Sequence, residues 1–235
     1  MKIIRCEQVT QEWFDLHLGR CTASHAKAIL RDDLAPYSDY LAKKVAEILT
    51  GQIAPDRPPN FEMQWGIDHE AEARRAYSLS EGVFVEQVGF VIADDERFGC
   101  SPDGLVGDKG MVQFKCPKTS THLTWMLMGI LPAEHLPQCR FELAVNGDRQ
   151  WNQFVSFDPR LPKRYQLFKA PLLMREDAEV PKMLAAADAF MQNVEAVIAK
   201  LKERCPELPE EPPEDIGELG IGEAELAIFD RAVQQ

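Results

Sequence analysis

The sequence predicts an α/β or α+β domain around a mixed β-sheet, and three observations carry that prediction. Helix-like segments come first, a meander of short strands follows, and helices then flank a further strand pair before a last long helix. At 235 residues, with 45% hydrophobic and 27% charged residues, the chain is long enough to bury a sizeable core as one domain. No apolar run approaches the roughly 18 residues of a membrane span.

The elements follow in order. Gln11 to Leu18 carries Trp13, Phe14, Leu16 and Leu18 and stops at Gly19, which predicts a short helix. Thr22-Ala23-Ser24 offers hydroxyl caps for a second short helix reaching about Leu30. Tyr37 to Thr50 repeats Tyr40, Leu41, Val45, Ile48 and Leu49 at helical spacing and is closed by Gly51. Pro55 to Pro59 predicts a loop. Glu62 to about Leu79, rich in alanine and glutamate, predicts the clearest helix of the N-terminal half.

Val83 to Ile92 alternates loosely and predicts a strand, and Phe98–Cys100 and Gly104–Val106 predict strands around a Ser-Pro-Asp turn. Asp108-Lys109-Gly110 predicts a hairpin turn leading into a strand over Met111–Lys115. Helices are expected over 121–128 and 134–145, strands over 151–157 and 164–170, and a long helix over 178–204. Pro206 to Pro213 reads as an extended linker, and 223–233 as one amphipathic helix. The expected division is one domain over 1–205 and a Pro/Glu-rich linker with an acidic tail over 206–235.

Net charge is −12, which argues against a general nucleic-acid coat protein. Between Glu203 and Arg231, however, ten acidic residues face two basic ones, so the rest of the chain carries only about −4. A local basic groove is compatible with that balance, because phosphate contacts are local. Met1-Lys2-Ile3-Ile4-Arg5-Cys6 leads straight into polar residues and shows no signal-peptide core. The six cysteines are scattered without a CxxC pair and read as reduced cytosolic thiols. His17, His25, His69, His122 and His135 lack zinc-site spacing, and neither a GxxxxGK[ST] loop nor a GxSxG elbow occurs.

One constellation carries chemistry. Asp103 sits at a turn between strands, and ten residues later comes Gln113-Phe114-Lys115. On a strand, Gln113 and Lys115 face the same side, while Phe114 faces the core with its carbonyl still available to a metal. Oxygen ligands around a divalent cation, with a lysine beside them, suit phosphodiester hydrolysis. Asp103, Gln113 and Lys115 alone also fit an ion pair on a polar sheet face. The helix over 62–79 adds Asp68, His69, Glu70 and Glu72, of which Trp65-Gly66-x-x-x-Glu70 singles out one.

With further pieces in order, the chain resembles the phage-type alkaline exonucleases of the lambda exonuclease (YqaJ) family, within the PD-(D/E)XK superfamily. The pieces are Trp13 with Gly19 and Thr22-Ala23-Ser24; Trp65-Gly66 with Glu70; Ser101-Pro102-Asp103-Gly104-Leu105; Lys115-Cys116-Pro117; Gln138; and Asp158-Pro159-Arg160. The resemblance implies a restriction-endonuclease-like core with a mixed central sheet flanked by helices. It implies a Mg²⁺-dependent 5′→3′ exonuclease on double-stranded DNA ends, with two ions and Mn²⁺ able to substitute. Such an enzyme releases 5′-mononucleotides and leaves 3′ overhangs for phage-type recombination. The partners implied are duplex DNA ends, two further copies in a homotrimeric ring and a single-strand annealing protein, with no membrane. The location implied is the cytoplasm of a bacterial host, from a phage or prophage gene.

By the same resemblance Asp103 and Glu70 are metal carboxylates, joined by Gln113 and the Phe114 carbonyl, and Lys115 orients or deprotonates the attacking water. Asp94 or Asp95 falls near a further acidic position. Ser24 and Ser101 fall where the family binds the 5′-phosphate, and Gln138 flanks the site. Met63, with Phe61, fits either an apolar wedge near the DNA fork or ordinary core packing.

Two positions depart from the pattern. Where the family has an arginine on the 5′-phosphate this chain has His17, and Arg20 three residues on either takes over that task or keeps a structural role. Neutral histidine lacks arginine's two-pronged grip. Where the family has glutamate this chain has Gln113, whose carbonyl can ligate a metal without supplying charge. Gln113 is either a natural variant or an isosteric inactivating substitution. Three rivals follow: a catalytically silent DNA-end-binding protein on the same fold, a metal-dependent endonuclease, and a non-nuclease acidic interaction protein.

Overall fold

The computed structural model describes residues 1–30, 38–53 and 60–205. The expected loop at 55–59, linker at 206–213 and helix at 223–233 lie outside the described residues. The chain divides into a main unit over Met1–Ile198 and a second over Ala199–Gln235.

The N-terminal elements are β1 (Lys2–Ile4), α1 (Gln11–Asp15), β2 (Cys21–Thr22), a 3-10 turn at Ala23–His25 and α2 (Ala26–Ile29). Then come α3 (Asp39–Thr50) and α4 (Phe61–Glu81). Both long helices start and stop on side chains suited to the task. Ser38 and Asn60 accept from the amides of Leu41 and Met63, and Gly51 and Gly82 close the other ends in the left-handed conformation. Thr22 does not cap the helix as expected. It ends β2, and its hydroxyl bonds Ser24 and His25 instead.

The strands are β3 (Val85–Glu86), β4 (Phe90–Ile92), β5 (Phe98–Cys100), β6 (Gly104–Val106) and β7 (Gly110–Lys115). After α5 (Thr119–Met128) and α6 (Leu136–Val145) come β8 (Trp151–Phe157), β9 (Leu167–Lys169), β10 (Leu173–Met174) and α7 (Val180–Arg204). They form two sheets, ordered β1-β4-β5-β2 and β10-β8-β7-β6-β3, with β9 also on β8. β7 and β8 run parallel over six residue pairs, from Gly110↔Trp151 to Lys115↔Ser156, while β6 and β7 form the expected antiparallel hairpin.

Three strand expectations change. The single strand over 83–92 is two, β3 in the second sheet and β4 in the first, broken at Gln87–Gly89. Arg164 belongs to a 3-10 turn at Lys163–Tyr165, so the strand over 164–170 shortens to β9. The N terminus, read as helical, opens with β1 on β4.

The second sheet has a different core on each face. Met111 packs with Leu105, Phe141 and Phe154, below α6. Val112 and Phe114 pack with Ala73, Tyr77, Val155 and Phe157, below α4. Emptying a fully buried site such as Phe154 or Phe157 by alanine would cost about 3–5 kcal/mol. This alternation sends Gln113 and Lys115 to the face of Met111, as two-residue periodicity demands.

Candidate active site at the end of strand β7

The chain passes from the first sheet to the second through Ser101-Pro102-Asp103, between β5 and β6. Asp103 is thereby set beside the end of β7, almost fully buried. Gly104 is required there, because a Cβ would overlap Val85 and Val112. The Asp103 carboxylate accepts from the Phe114 amide at 2.7 Å and from the Gln113 side-chain amide, both on Oδ2. Burial pushes this carboxyl up to about 7; Lys115 opposes the shift and Glu70 adds to it.

Glu70 comes from α4. Its carboxylate accepts from Arg74 one turn on, and the Arg74 Nε donates to the Asp103 carbonyl at 3.3 Å. Arg74 therefore links the helix-borne acid to the turn carrying Asp103. Asp103 and Lys115 line two adjoining depressions. One, of about 290 Å³, also has Ser24, Ser101, His17, Lys44 and Gln138 in its wall. The other, of about 540 Å³, has Glu70, Met63, Ile67 and Trp125.

Ser101 is held by Trp13, whose indole N–H reaches both the Ser101 hydroxyl at 2.9 Å and the Gly89 carbonyl at 3.1 Å. The His17 ring lies tilted against Trp13 with ring centroids 3.9 Å apart, and its Nδ1 bonds the Trp13 carbonyl at 2.7 Å. Burial lowers its pKa, which keeps the ring neutral near pH 7. Lys44 is buried in the same wall and paired with Glu47; removing one partner of such a pair costs about 3–5 kcal/mol.

Other expected residues fall elsewhere. Arg20 points its guanidinium at the carbonyls of Glu96 and Leu16, so it braces the loop and lines neither depression. Asp94 is 93% exposed, pairs with the N terminus, and with Asp95 lines a separate depression. Neither acid joins Asp103. Met63 and Phe61 are exposed, which removes the core-packing alternative for both.

Sequence reasoning missed one buried acid beside the site. Glu142 on α6 is fully buried, and burial pushes its carboxyl up to about 8. It accepts from Asn152 at 2.7 Å and from Gln138 at 3.0 Å, and Gln138 also donates to Gln113 at 3.1 Å. The only signal in the sequence is an acid one helical turn after Gln138, on a segment otherwise apolar on several sides.

Among the described residues no three His, Cys, Asp or Glu side chains group as a metal site. The reason is local: the third oxygen donor at the strand end is the carboxamide of Gln113. Asp103, Glu70, the Gln113 oxygen and the Phe114 carbonyl are all hard oxygen donors of the kind Mg²⁺ takes. Burial of Asp103 beside Lys115 further suits a cation, which would offset the desolvated charge. The donor set fits a divalent cation, with one anion fewer than glutamate at 113 would provide.

A mixed sheet flanked by helices, with an acid at the preceding turn and polar-x-Lys ending the strand, defines a PD-(D/E)XK-type fold and site. The YqaJ-like viral recombinase domain matches residues 12–149, and the chain belongs to that family. It is 36% identical to an alkaline exonuclease (LHK-Exo) from Laribacter hongkongensis, with a TM-score of 0.75 over 83% of this chain and 97% of that one. The same values hold for LHK-Exo in complex with dAMP. A phage-related exonuclease from Haemophilus somnus 129PT, 14% identical with a TM-score of 0.57 over 85% of this chain and 96% of that one, shares the fold. No curated protein matches the chain.

Proposed function

We propose that this protein is a Mg²⁺-dependent exonuclease that digests one strand of linear duplex DNA 5′→3′ to 5′-mononucleotides. The observation that carries the reading is Asp103 and Lys115 together in the wall between two depressions, with Glu70 in one and Ser101 in the other. The relative at 36% identity is an alkaline exonuclease, and its complex with dAMP, a nucleoside monophosphate, matches the expected product class.

Asp103 and Glu70, with the Phe114 carbonyl, would hold the cation, while the Gln113 oxygen faces Gln138 and its amide N–H faces Asp103. Bound there, it supplies charge neutralisation on the scissile phosphate and an acidified water. Lys115, in the wall of both depressions, would orient the attacking water by donating an N–H to it. Ser101, oriented by Trp13, and Ser24 would hydrogen-bond the terminal 5′-phosphate, beside the buried Lys44–Glu47 ion pair in the same wall. Met63 stacks against the end of the duplex. The 3′ overhangs left behind would feed recombination with a single-strand annealing protein. Three copies would encircle the duplex as a ring in the cytoplasm of a phage-infected or lysogenic host.

The absent third carboxylate favours a second reading, a silent protein that binds DNA ends. Timed digestion of 5′-phosphorylated linear duplex with Mg²⁺ separates the readings when the protein is compared with its Gln113→Glu variant. Nucleotide release by both supports the exonuclease, and release by the variant alone supports the silent binder. Release by neither overturns the nuclease reading. Covalently closed circles should survive; their cleavage would point to an endonuclease.

A further inference from the structure

A line of side-chain hydrogen bonds runs from the interior below α6 to Asp103, and each amide in it has its direction fixed by the one before. It begins at the Cys139 carbonyl, which can only accept. Asn152 Nδ2 donates to that carbonyl at 3.2 Å and to Glu142 Oε2 at 2.7 Å. The other Glu142 oxygen, Oε1, accepts from Gln138 Nε2 at 3.0 Å. The second proton of that Gln138 amide goes to Gln113 Oε1 at 3.1 Å. With its oxygen so engaged, Gln113 presents its NH₂ to Asp103 Oδ2. Asn152, Glu142 and Gln113 are each no more than 1% exposed, so water does not compete for these bonds.

We propose that Glu142 is a positioning residue that, through Gln138, fixes the Gln113 amide so that Gln113 holds Asp103 as a hydrogen-bond donor. The catalytic part of this role rests on the nuclease reading above. The ordered donors and acceptors require two acceptor oxygens at position 142, one facing Asn152 and one facing Gln138, and a carboxyl group offers both whether or not it carries its proton. Glutamine there would present an NH₂ to Asn152 or to Gln138, and one of those amides would have to turn. When Gln138 turns, Gln113 loses the donor that faces its oxygen and is free to rotate away from Asp103. The residue at the glutamate position of the family then has a task that glutamate could not perform. A carboxylate at 113 has no N–H to offer Asp103.

The test uses the full-length protein without DNA, in two measurements. In ¹⁵N spectra, the Gln113 side-chain amide is identified by its loss in Gln113→Glu. It should resonate away from ordinary glutamine amides and exchange slowly. In Glu142→Gln it should move to ordinary values; a merely structural Glu142 would lower the melting temperature and leave that resonance in place. Gln138→Leu, which cuts the line at its middle, should produce the same movement and serves where Glu142→Gln does not fold.

Mn²⁺ binding by calorimetry supplies the second measurement. Glu142→Gln should weaken it about tenfold in the parent, the usual scale for a residue behind a metal ligand. In the Gln113→Glu background, which lacks an amide to orient, the same change should alter binding less than about twofold by the same reasoning. Equal losses in both backgrounds, or an unmoved Gln113 resonance, overturn the proposal. A resonance that moves in a protein that binds no Mn²⁺ sinks the proposed function and leaves the positioning of Gln113 standing. A resonance that stays in a protein that binds Mn²⁺ does the reverse.

Discussion

Two depressions meet at Asp103 and Lys115, and their other walls differ in chemistry. The smaller is lined by hydroxyls and bases, Ser24, Ser101, His17 and Lys44, held by an indole and a buried ion pair. The larger has Met63, Ile67 and Trp125 beside the acids Glu62 and Glu70. A wall of hydroxyls and a lysine recognises a phosphate, whereas an apolar wall has no means to do so and can only meet flat, weakly polar surface. Placed on either side of one lysine and one buried acid, the two walls would, under the proposed function, distinguish the terminal phosphate of a strand from the body of the duplex.

The largest effect expected is on what both depressions share. Lys115→Met should lower nucleotide release about 10²–10⁴-fold, the range for losing a group that manages proton transfer. Binding of 5′-phosphorylated duplex should change little, and a mild loss of rate would show that the shared wall is not the reacting centre. A paired substitution then separates the two walls. Ser101→Ala should cut the preference for 5′-phosphorylated over 5′-hydroxyl ends about tenfold, by losing a hydrogen bond to a charged group. Met63→Ser should leave that preference intact while weakening duplex binding a few-fold, with a melting temperature close to the parent's because Met63 is exposed. Equal loss of preference in both variants would erase the distinction.

The smallest effect concerns stability against pH. Glu142 has its folded pKa raised from 4.5 to about 8, so the folded state holds a proton that the unfolded state releases. Stability from this group is whole below pH 4.5 and falls as pH rises towards about 8. Asp103, raised from 3.8 to about 7, acts with the same sign. Glu142→Gln should flatten most of that fall, with a melting-temperature advantage over the parent that widens from pH 5 to 8 and then levels off. A constant difference across that range would mean that Glu142 is ionised in the fold throughout.

Much of this was legible in the sequence where the physics is local. β8 was read at 151–157 from its alternation and α3 was closed at Gly51, because both signals reside in adjacent residues. The Asp103, Gln113 and Lys115 cluster was legible because a two-residue period and a turn suffice to bring it together. The break at Gln87–Gly89 was not, since loose alternation looks the same whether one sheet or two receive it. Which of the two roles Arg20 takes, and where Asp94 turns, is hidden for a related reason: a side chain's direction within a loop depends on carbonyls and termini far along the chain. Glu142 was invisible because its partners, Gln138 and Asn152, lie on a helix and a strand that only the fold brings together.

The passages between the sheets have a further consequence. The chain leaves the second sheet after β3, enters the first, and returns to the second through Ser101–Asp103; one indole, that of Trp13, grips both passages. The buried acid Asp103 therefore sits on a seam, and a seam belongs to neither piece of cloth. Transplanting the segment from Ser101 to Lys115 into an unrelated sheet would carry the letters and leave behind the geometry. In an evolving lineage such a site is inherited whole, with the framework on both sides of it, or it is lost.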